Sequence, residues 1–535
     1  MQEQDKLNNN NADGTLLSHF EQEIHSKVPH LEKLGDGKSA IINATPLIDI
    51  TKDLKECAKS VFGTDLADNK TLKVFGKFDS DLLAGSIKVR PAVQIIRDAI
   101  ATGKLRRGQT VFEATSGNFG IALGQISKLG IDVIALVSRK LQEGVFDELK
   151  NEKTRIINLD MDICPAPGMK GNASLMAAKA TASNVRAQLT ELGFDPAVFD
   201  KSRSEVEAIL ADQDIINLAK LLARIYGGFC PEQYDNELNI EAHRTVTGPE
   251  LDQQMREQGN ALSKSRIICA FGTGGTSGGL SRYMMEKYGK KSVHVVFPLA
   301  DQDVAGIRTK GKASGLKFYE PDRYAGQHEV DFKQAKRLLK FFVDKKGYDM
   351  GESSALALYA VVQMANFGMG NDSENNNTFI VMIADGISKY RKSLEAMDKE
   401  AKQQRSLQVP LQEAVSNIGN YDRVVWIHTM YTPRREGIEL IAKSLGVDES
   451  KIYVPKAREV EQLLATRQMP KEMESALGGA NAKPLLVCMM GNTSLRAAEV
   501  LAQKGIVAES LNGGISALSA GKGKQIPELV RMATE

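Results

Sequence analysis

The chain has 535 residues, 42% of them hydrophobic and 25% charged, ordinary values for a globular protein able to bury a large core. At roughly 100–200 residues per domain, this length predicts about two to four domains and excludes a disordered tail or a collagen-like rod. Lys and Arg number 69 against 67 for Asp and Glu, a formal net charge of +2, so there is no electrostatic case for a nucleic-acid or membrane partner. The five cysteines (Cys57, Cys164, Cys230, Cys269 and Cys488) are scattered, without Cys-x-x-Cys or His/Cys clusters. That pattern argues against a disulfide framework or a metal site and fits the reducing cytoplasm. The polar start has no apolar segment of signal-peptide type, and no run approaches the roughly 18 apolar residues of a membrane span.

Residues 1–39, with an Asn run at 8–11, read as an N-terminal extension whose first dozen residues are disordered. From 40 to 398 short β-branched runs alternate with amphipathic stretches. The predicted strands are 71–78, 110–115, 132–138, 154–159, 265–272, 292–298 and 378–384, with helices between them. Alternation of this kind predicts an α/β domain with parallel sheets covered on both faces. Residues 170–225 lack a strand signal and read as a helical insertion. A charged, polar stretch near 400 reads as a linker or a solvated last helix. A second α/β pattern follows over 405–535, the size of one domain.

Four segments of the first domain bear on chemistry. Gly85-Ser86-Ile87-Lys88-Val89-Arg90-Pro91 puts a lysine at a strand–helix junction, where burial would leave a nucleophilic amine. Thr115-Ser116-Gly117-Asn118-Phe119-Gly120 puts hydroxyls and amide N–H groups at a helix start, a cradle for a carboxylate or phosphate. The run from Gly272 to Gly279, starting Gly272-Thr273-Gly274-Gly275-Thr276, follows a strand and opens a helix, so its backbone can close around an anion. It matches neither a Walker A loop nor a dinucleotide fingerprint. Gly351-Glu352-Ser353-Ser354-Ala355 opens a further helix. Taken singly, each has a plainer reading: a solvated lysine, an N-cap, a flexible loop, a capping serine pair.

Together, in this chain order, they resemble the fold-type II pyridoxal-phosphate enzymes (tryptophan synthase β-like, two parallel-sheet subdomains) and most closely the cysteine synthase group. Asn43-Ala44-Thr45-Pro46-Leu47 is similar to that group's GNTPL, and the segments around Lys88, Asn118, Gly272 and Ser353 to its lysine, TSGNTG, phosphate and GxSSGA motifs. Gln233, Asn236, His243 and Thr247-Gly248-Pro249-Glu250 are similar to its QxxN…H…TGPE stretch. The resemblance implies that Lys88 holds pyridoxal 5'-phosphate as a Schiff base and shuttles the α-proton. Asn118 would bond the 3′-oxygen, and Gly272, Thr273, Gly274, Gly275 and Thr276 would bind the phosphate. Ser353 would face the pyridine nitrogen as a neutral group, and Thr115, Ser116 and Gln233 would clamp the substrate carboxylate. The implied reaction is β-replacement on an activated serine through an aminoacrylate, with a sulfur nucleophile or donor as second partner, in a cytoplasmic homodimer without a metal. The alternative is a β-eliminating lyase of cysteine desulfhydrase or serine dehydratase type. A regulatory protein that keeps the fold without turnover is a third reading, opposed by the intact Lys88.

There are departures from that pattern. Phe119 stands where the group has a substrate-contacting threonine. The group's GIGxGxxP loop is not visible in 298–318. The 170–225 insertion has no counterpart in the minimal enzyme, and the stretch leading to Lys88 echoes the D-serine dehydratase branch. In the second domain, Cys488-Met489-Met490-Gly491-Asn492-Thr493-Ser494 followed by Leu511-Asn512-Gly513-Gly514 resembles a rhodanese-like active loop, which implies that Cys488 carries sulfane sulfur. The usual Asp-x-Arg and loop arginine are missing, so a structural cysteine in a non-catalytic domain is the competing reading.

Overall fold

The computed structural model describes residues 15–23, 45–67, 69–125, 129–137, 143–159, 181–300, 302–366, 377–397, 407–428, 435–466, 468–477, 479, 482–488 and 491–519. Asn8–Asn11, Asn43–Ala44, Cys164, the start of the 170–225 segment, the linker residues after 397, and Met489–Met490 lie outside them. The chain divides into two compact units, Met1–Leu394 and Glu395–Glu535.

The first unit contains a six-stranded sheet in the order β1-β2-β9-β6-β7-β8 and a three-stranded sheet β3-β4-β5. The strands are β1 Leu47–Asp49, β2 Lys73–Phe78, β3 Thr110–Ala114, β4 Asp132–Val137, β5 Arg155–Asn158, β6 Ser265–Ala270, β7 Val293–Pro298, β8 Gly326–Val330 and β9 Thr378–Ile383. Only β1 and β2 pair antiparallel; every other ladder of these two sheets is parallel. All six residues of β7 and of β9 are buried, as expected for strands covered on both faces. The two-residue side-chain period then splits each strand between two cores. Ile267, Val295, Ile380 and Met382 pack on one face, and Ile268, Val296, Phe379, Val381 and Ile383 on the other. Helix Glu352–Asn366 is buried along most of its length within the second core.

The described part of the 170–225 segment forms four helices: Ala182–Glu191, Pro196–Lys201, Arg203–Ala211 and Ile215–Ile225. Thr181, Asp195 and Asp214 cap three of them by accepting backbone N–H bonds. The last helix leads into Gly228, where a β-carbon would lie 2.3 Å from the Thr110 carbonyl oxygen. This close approach lets Phe229 bridge Val111 in parallel and lengthen the small sheet. The segment is therefore also the route that brings Gln233 beside β3.

A buried ionic cluster joins three elements of this unit. Arg90 Nε and Nη2 donate to the two oxygens of Asp79, both at 2.9 Å, and Arg90 Nη1 donates to Glu250 Oε2 at 2.7 Å. Lys77 Nζ donates to Glu250 Oε1 and, at 2.6 Å, to the Thr45 carbonyl. All four charged side chains are fully buried. The charges balance, which such burial requires. Burial pushes the Glu250 carboxyl up, and the Arg90 and Lys77 cations together outweigh it, so the group stays ionised. The cluster clamps β2, the helix Gly248–Glu257 and the first turn of helix Val89–Ala101, which begins beside Lys88.

The second unit is a five-stranded, all-parallel sheet in the order β10-β14-β13-β11-β12, with β10 Gln408–Val409, β11 Arg423–Trp426, β12 Ile452–Tyr453, β13 Pro484–Val487 and β14 Glu509–Leu511. Val425, Leu486 and Cys488 pack on one face, and Val424, Trp426, Leu485 and Val487 on the other. Gly437 admits the Trp426 ring, which a β-carbon there would meet at 2.2 Å. No helix among the described residues is long and apolar enough to cross a membrane.

Glu250→Gln leaves two buried cations facing one carboxylate. It should cost about 3–5 kcal/mol of unfolding free energy, read from the urea midpoint at constant slope. A loss below about 1 kcal/mol would show that the cluster does not bind these elements together.

Candidate active site

The loops leaving the carboxyl ends of β3, β6 and β9 converge with the turn that precedes helix Val89–Ala101, the usual position for a ligand in a parallel sheet. They enclose a cleft of about 850 Å³, open mouth included. Lys88, Ser116, Asn118, Gln233, Gly272, Thr273, Gly274, Gly275, Thr276 and Ser353 all line it. Thr115 does not. It is fully buried, and its Oγ1 accepts N–H bonds from Gly117 at 3.0 Å and Gly120 at 3.1 Å, so it holds the shape of the loop that presents Ser116 and Asn118.

Lys88 is half-buried at the N-cap of helix Val89–Ala101. Burial lowers its amine pKa to about 8, against the opposing influence of the Asp385 carboxylate. The turn before it passes through left-handed conformations at Ala84 (φ 59°) and Gly85 (φ 58°). It is fixed to the end of β9 by Ile87 N–H donating to the Ala384 carbonyl at 2.7 Å and by a bridge between Ser86 and Asp385.

Across the cleft, Gly274 (φ 90°) turns the chain into helix Gly275–Tyr288, whose first N–H groups and positive dipole end form an anion cup. A side chain at Gly275 is excluded, because its β-carbon would fall 2.0 Å from Asn239 Oδ1. Asn239 Nδ2 donates to Thr273 Oγ1 at 3.1 Å, and Thr276 Oγ1 lies 3.2 Å from His243 Nε2. Burial, with Arg90 and Lys88 nearby, holds His243 well below the usual imidazole range, so it meets Thr276 as a neutral ring.

Gln233 is placed by a buried carboxyl group. Glu113 on β3 accepts N–H bonds from Glu232 at 3.0 Å and Gln233 at 3.3 Å, and Gln233 Nε2 donates to the Ala114 carbonyl at 3.0 Å. Burial raises the Glu113 pKa to about 8, despite these two donors. Ser353 lines the cleft at the start of its helix, while Ser354 Oγ accepts the Ala384 N–H at 3.0 Å.

Two groups of cleft residues escaped sequence reasoning. Ala305, Gly306 and Ile307 line the cleft, so part of 298–318 reaches it without the GIGxGxxP pattern. The Gly306 carbonyl oxygen would lie 2.7 Å from a β-carbon at Gly272, so the two loops touch. The other group is Asp385 and Tyr390, after β9. Asp385 is 1% exposed, and among the described residues its Oδ1 has no hydrogen-bond partner. Its Oδ2 accepts from Asn118 Nδ2 at 2.7 Å and from the Tyr390 hydroxyl. An amine of lowered pKa, an anion cup and an unsatisfied buried carboxylate oxygen in one cleft fit an aldehyde cofactor with an anionic tail and a polar ring.

In the second unit Cys488 follows β13. It is 3% exposed, and its Sγ accepts from Gly491 N–H at 3.1 Å and Ser494 Oγ at 3.3 Å.

The model of the family described as pyridoxal-phosphate dependent enzyme matches residues 60–382. Cysteine synthase of Staphylococcus aureus is 24% identical over 341 residues, covering 62% of this chain and 90% of that protein. Cysteine synthase B of Pseudomonas aeruginosa is 26% identical over 317 residues, covering 59% and 87%. Among solved structures, a hydrogen sulfide-producing enzyme from Fusobacterium nucleatum aligns with a TM-score of 0.46 at 18% identity, covering 65% of this chain and 96% of that one. The chain belongs to the pyridoxal-phosphate-dependent enzymes and is a cysteine synthase-like member of that family.

Proposed function

We propose that the first unit catalyses β-replacement on an activated serine, with sulfur as the incoming nucleophile, and that the second unit carries sulfur on Cys488. The observation that carries the first part is the single cleft shared by Lys88, Ser116, Gln233 and the Gly272–Thr276 cup. When bound, the cofactor supplies an electron sink next to the substrate α-carbon. With a pKa of about 8, Lys88 Nζ is partly neutral near pH 7 and can take the α-proton and return it. The N–H groups of the 272–276 loop and helix Gly275–Tyr288 hold the phosphate, with Thr276 oriented by neutral His243. Ser116 Oγ and Gln233 bind the substrate carboxylate, and Thr115 supports them through the loop rather than by contact. Ser353 offers a neutral hydroxyl to the ring nitrogen, and Asp385 adds a carboxylate to the same cleft. Phe119, Ile307 and Met382 give it apolar walls, which exclude water and favour capture by a sulfur nucleophile over hydrolysis. The same reading makes the protein a cytoplasmic homodimer.

The sulfur-carrying role rests on the two donors that converge on Cys488 Sγ, at the mouth of the turn before helix Asn492–Gln503. Donors so placed can hold a terminal sulfane sulfur on Cys488.

Lys88→Ala should abolish the visible absorbance of the bound cofactor and lower turnover by at least ~10²-fold. Retention of either would remove the assignment. The wild-type protein should consume sulfide when given O-acetylserine; pyruvate release from serine or cysteine without sulfide uptake would identify a β-eliminating lyase instead. Cys488→Ser should leave the first reaction intact and abolish sulfur transfer from thiosulfate to cyanide. Normal transfer by that variant would make Cys488 structural.

A further inference from the structure

Lys389 is 2% exposed, two helical residues past the end of the β9 loop, and the reaction outlined above gives it no task. Its Nζ donates to Asn118 Oδ1 at 2.7 Å and to the Gly85 carbonyl at 3.3 Å. Asn118 Nδ2 donates to Asp385 Oδ2 at 2.7 Å. An ammonium can only donate and a carboxylate can only accept, so these partners by themselves decide which end of the Asn118 amide is oxygen and which is nitrogen. The carbonyl end is engaged by the cation. The N–H end of the amide is engaged by the carboxylate and also meets the Tyr390 hydroxyl, and it borders the cleft that Asn118 and Tyr390 line.

We propose that Lys389 is a positioning residue: its ammonium, acting with Asp385, locks the Asn118 amide so that it presents an N–H donor to the bound cofactor, and its bond to Gly85 ties that amide to the turn carrying Lys88. Lys389 does not itself line the cleft, so it acts through Asn118 and Gly85. The Lys389 backbone is itself fixed, since a β-carbon at Gly144 would lie 2.6 Å from its carbonyl oxygen. A locked donor prefers a ligand atom that can only accept, such as an ionised oxygen on the cofactor ring, and it penalises a hydroxyl that must donate. Replacing Lys389 by an apolar residue would free the amide to turn over, which would also withdraw the N–H that Asn118 gives to Asp385 Oδ2.

The inference rests on the reading of the cleft as the pyridoxal-phosphate site, and the test separates the two. Pyridoxal-phosphate affinity is measured by equilibrium dialysis of the full chain for wild type, Lys389→Met, Asn118→Ala and the double variant. Each single variant should weaken binding by about tenfold, and the double variant should bind no worse than the weaker single one, because both changes remove the same donor. Lys389→Arg, which keeps a cation to hold Oδ1, should recover part of the loss. Asn118→Asp keeps a partner for Lys389 but has no N–H, and it should lose affinity as Asn118→Ala does. This last variant tests the donor should Lys389→Met fail to fold. Wild-type affinity in Lys389→Met or in Asn118→Asp would overturn the inference, as would additive losses in the double variant. A wild-type protein that binds no pyridoxal phosphate would instead overturn the reading of the cleft.

Discussion

The account depends on one desolvated amine facing one anion cup. In the proposed chemistry, Lys88 serves as nucleophile and base because burial lowers its pKa to about 8. An isolated lysine of that kind has no reason to exist in a stable fold. It becomes useful when the opposite wall of the same cleft carries helix N–H groups that anchor a ligand's negative end. The distance between the two walls then selects the ligand, and neither wall alone defines the chemistry.

The fold maintains this separation by two devices. The parallel sheets bring the loops after β3, β6 and β9 to one edge, so their residues converge without close sequence neighbours. The buried cluster of Lys77, Asp79, Arg90 and Glu250 fixes the first turn of helix Val89–Ala101 against β2 and helix Gly248–Glu257. A charge cluster is a costly way to join elements in net free energy, but misplacing any member leaves a buried ion unpaired. That penalty discriminates against alternative packings close to the reactive amine. The buried Glu113 carboxyl fixes another wall of the cleft by accepting the backbone N–H groups of Glu232 and Gln233.

Much of this architecture is legible in the residues. The strands β6, β7 and β9 are largely β-branched and apolar runs, interrupted by Ser265, Arg266 and His294, as burial on both faces favours. The edge strands were not legible: β1 is three residues long, and β8, Gly326–Val330, is built from Gly, Gln, His and Glu before its single valine. In the cleft, Lys88, Asn118 and the glycine run are ambiguous one by one and become legible only through their joint order along the chain, which carries the family resemblance. Thr115 shows the limit of that reasoning, because a hydroxyl that caps its own loop and one that clamps a ligand occupy the same sequence position. Asp385, Lys389 and Tyr390 carry no pattern; only their position after a fully buried strand marks them. The loop at Ala305–Ile307 was hidden because it reaches the cleft through a left-handed turn at Gly306 (φ 72°) without the GIGxGxxP pattern.

The central claim is that Lys88, among all the lysines of the chain, is the one that bonds the cofactor. Borohydride reduction of the purified holoprotein followed by peptide mass mapping tests it directly. The account predicts a single phosphopyridoxyl label, on Lys88. A label on another lysine, such as the buried Lys77 or Lys389, or no label at all on a protein that retains its colour, would contradict it.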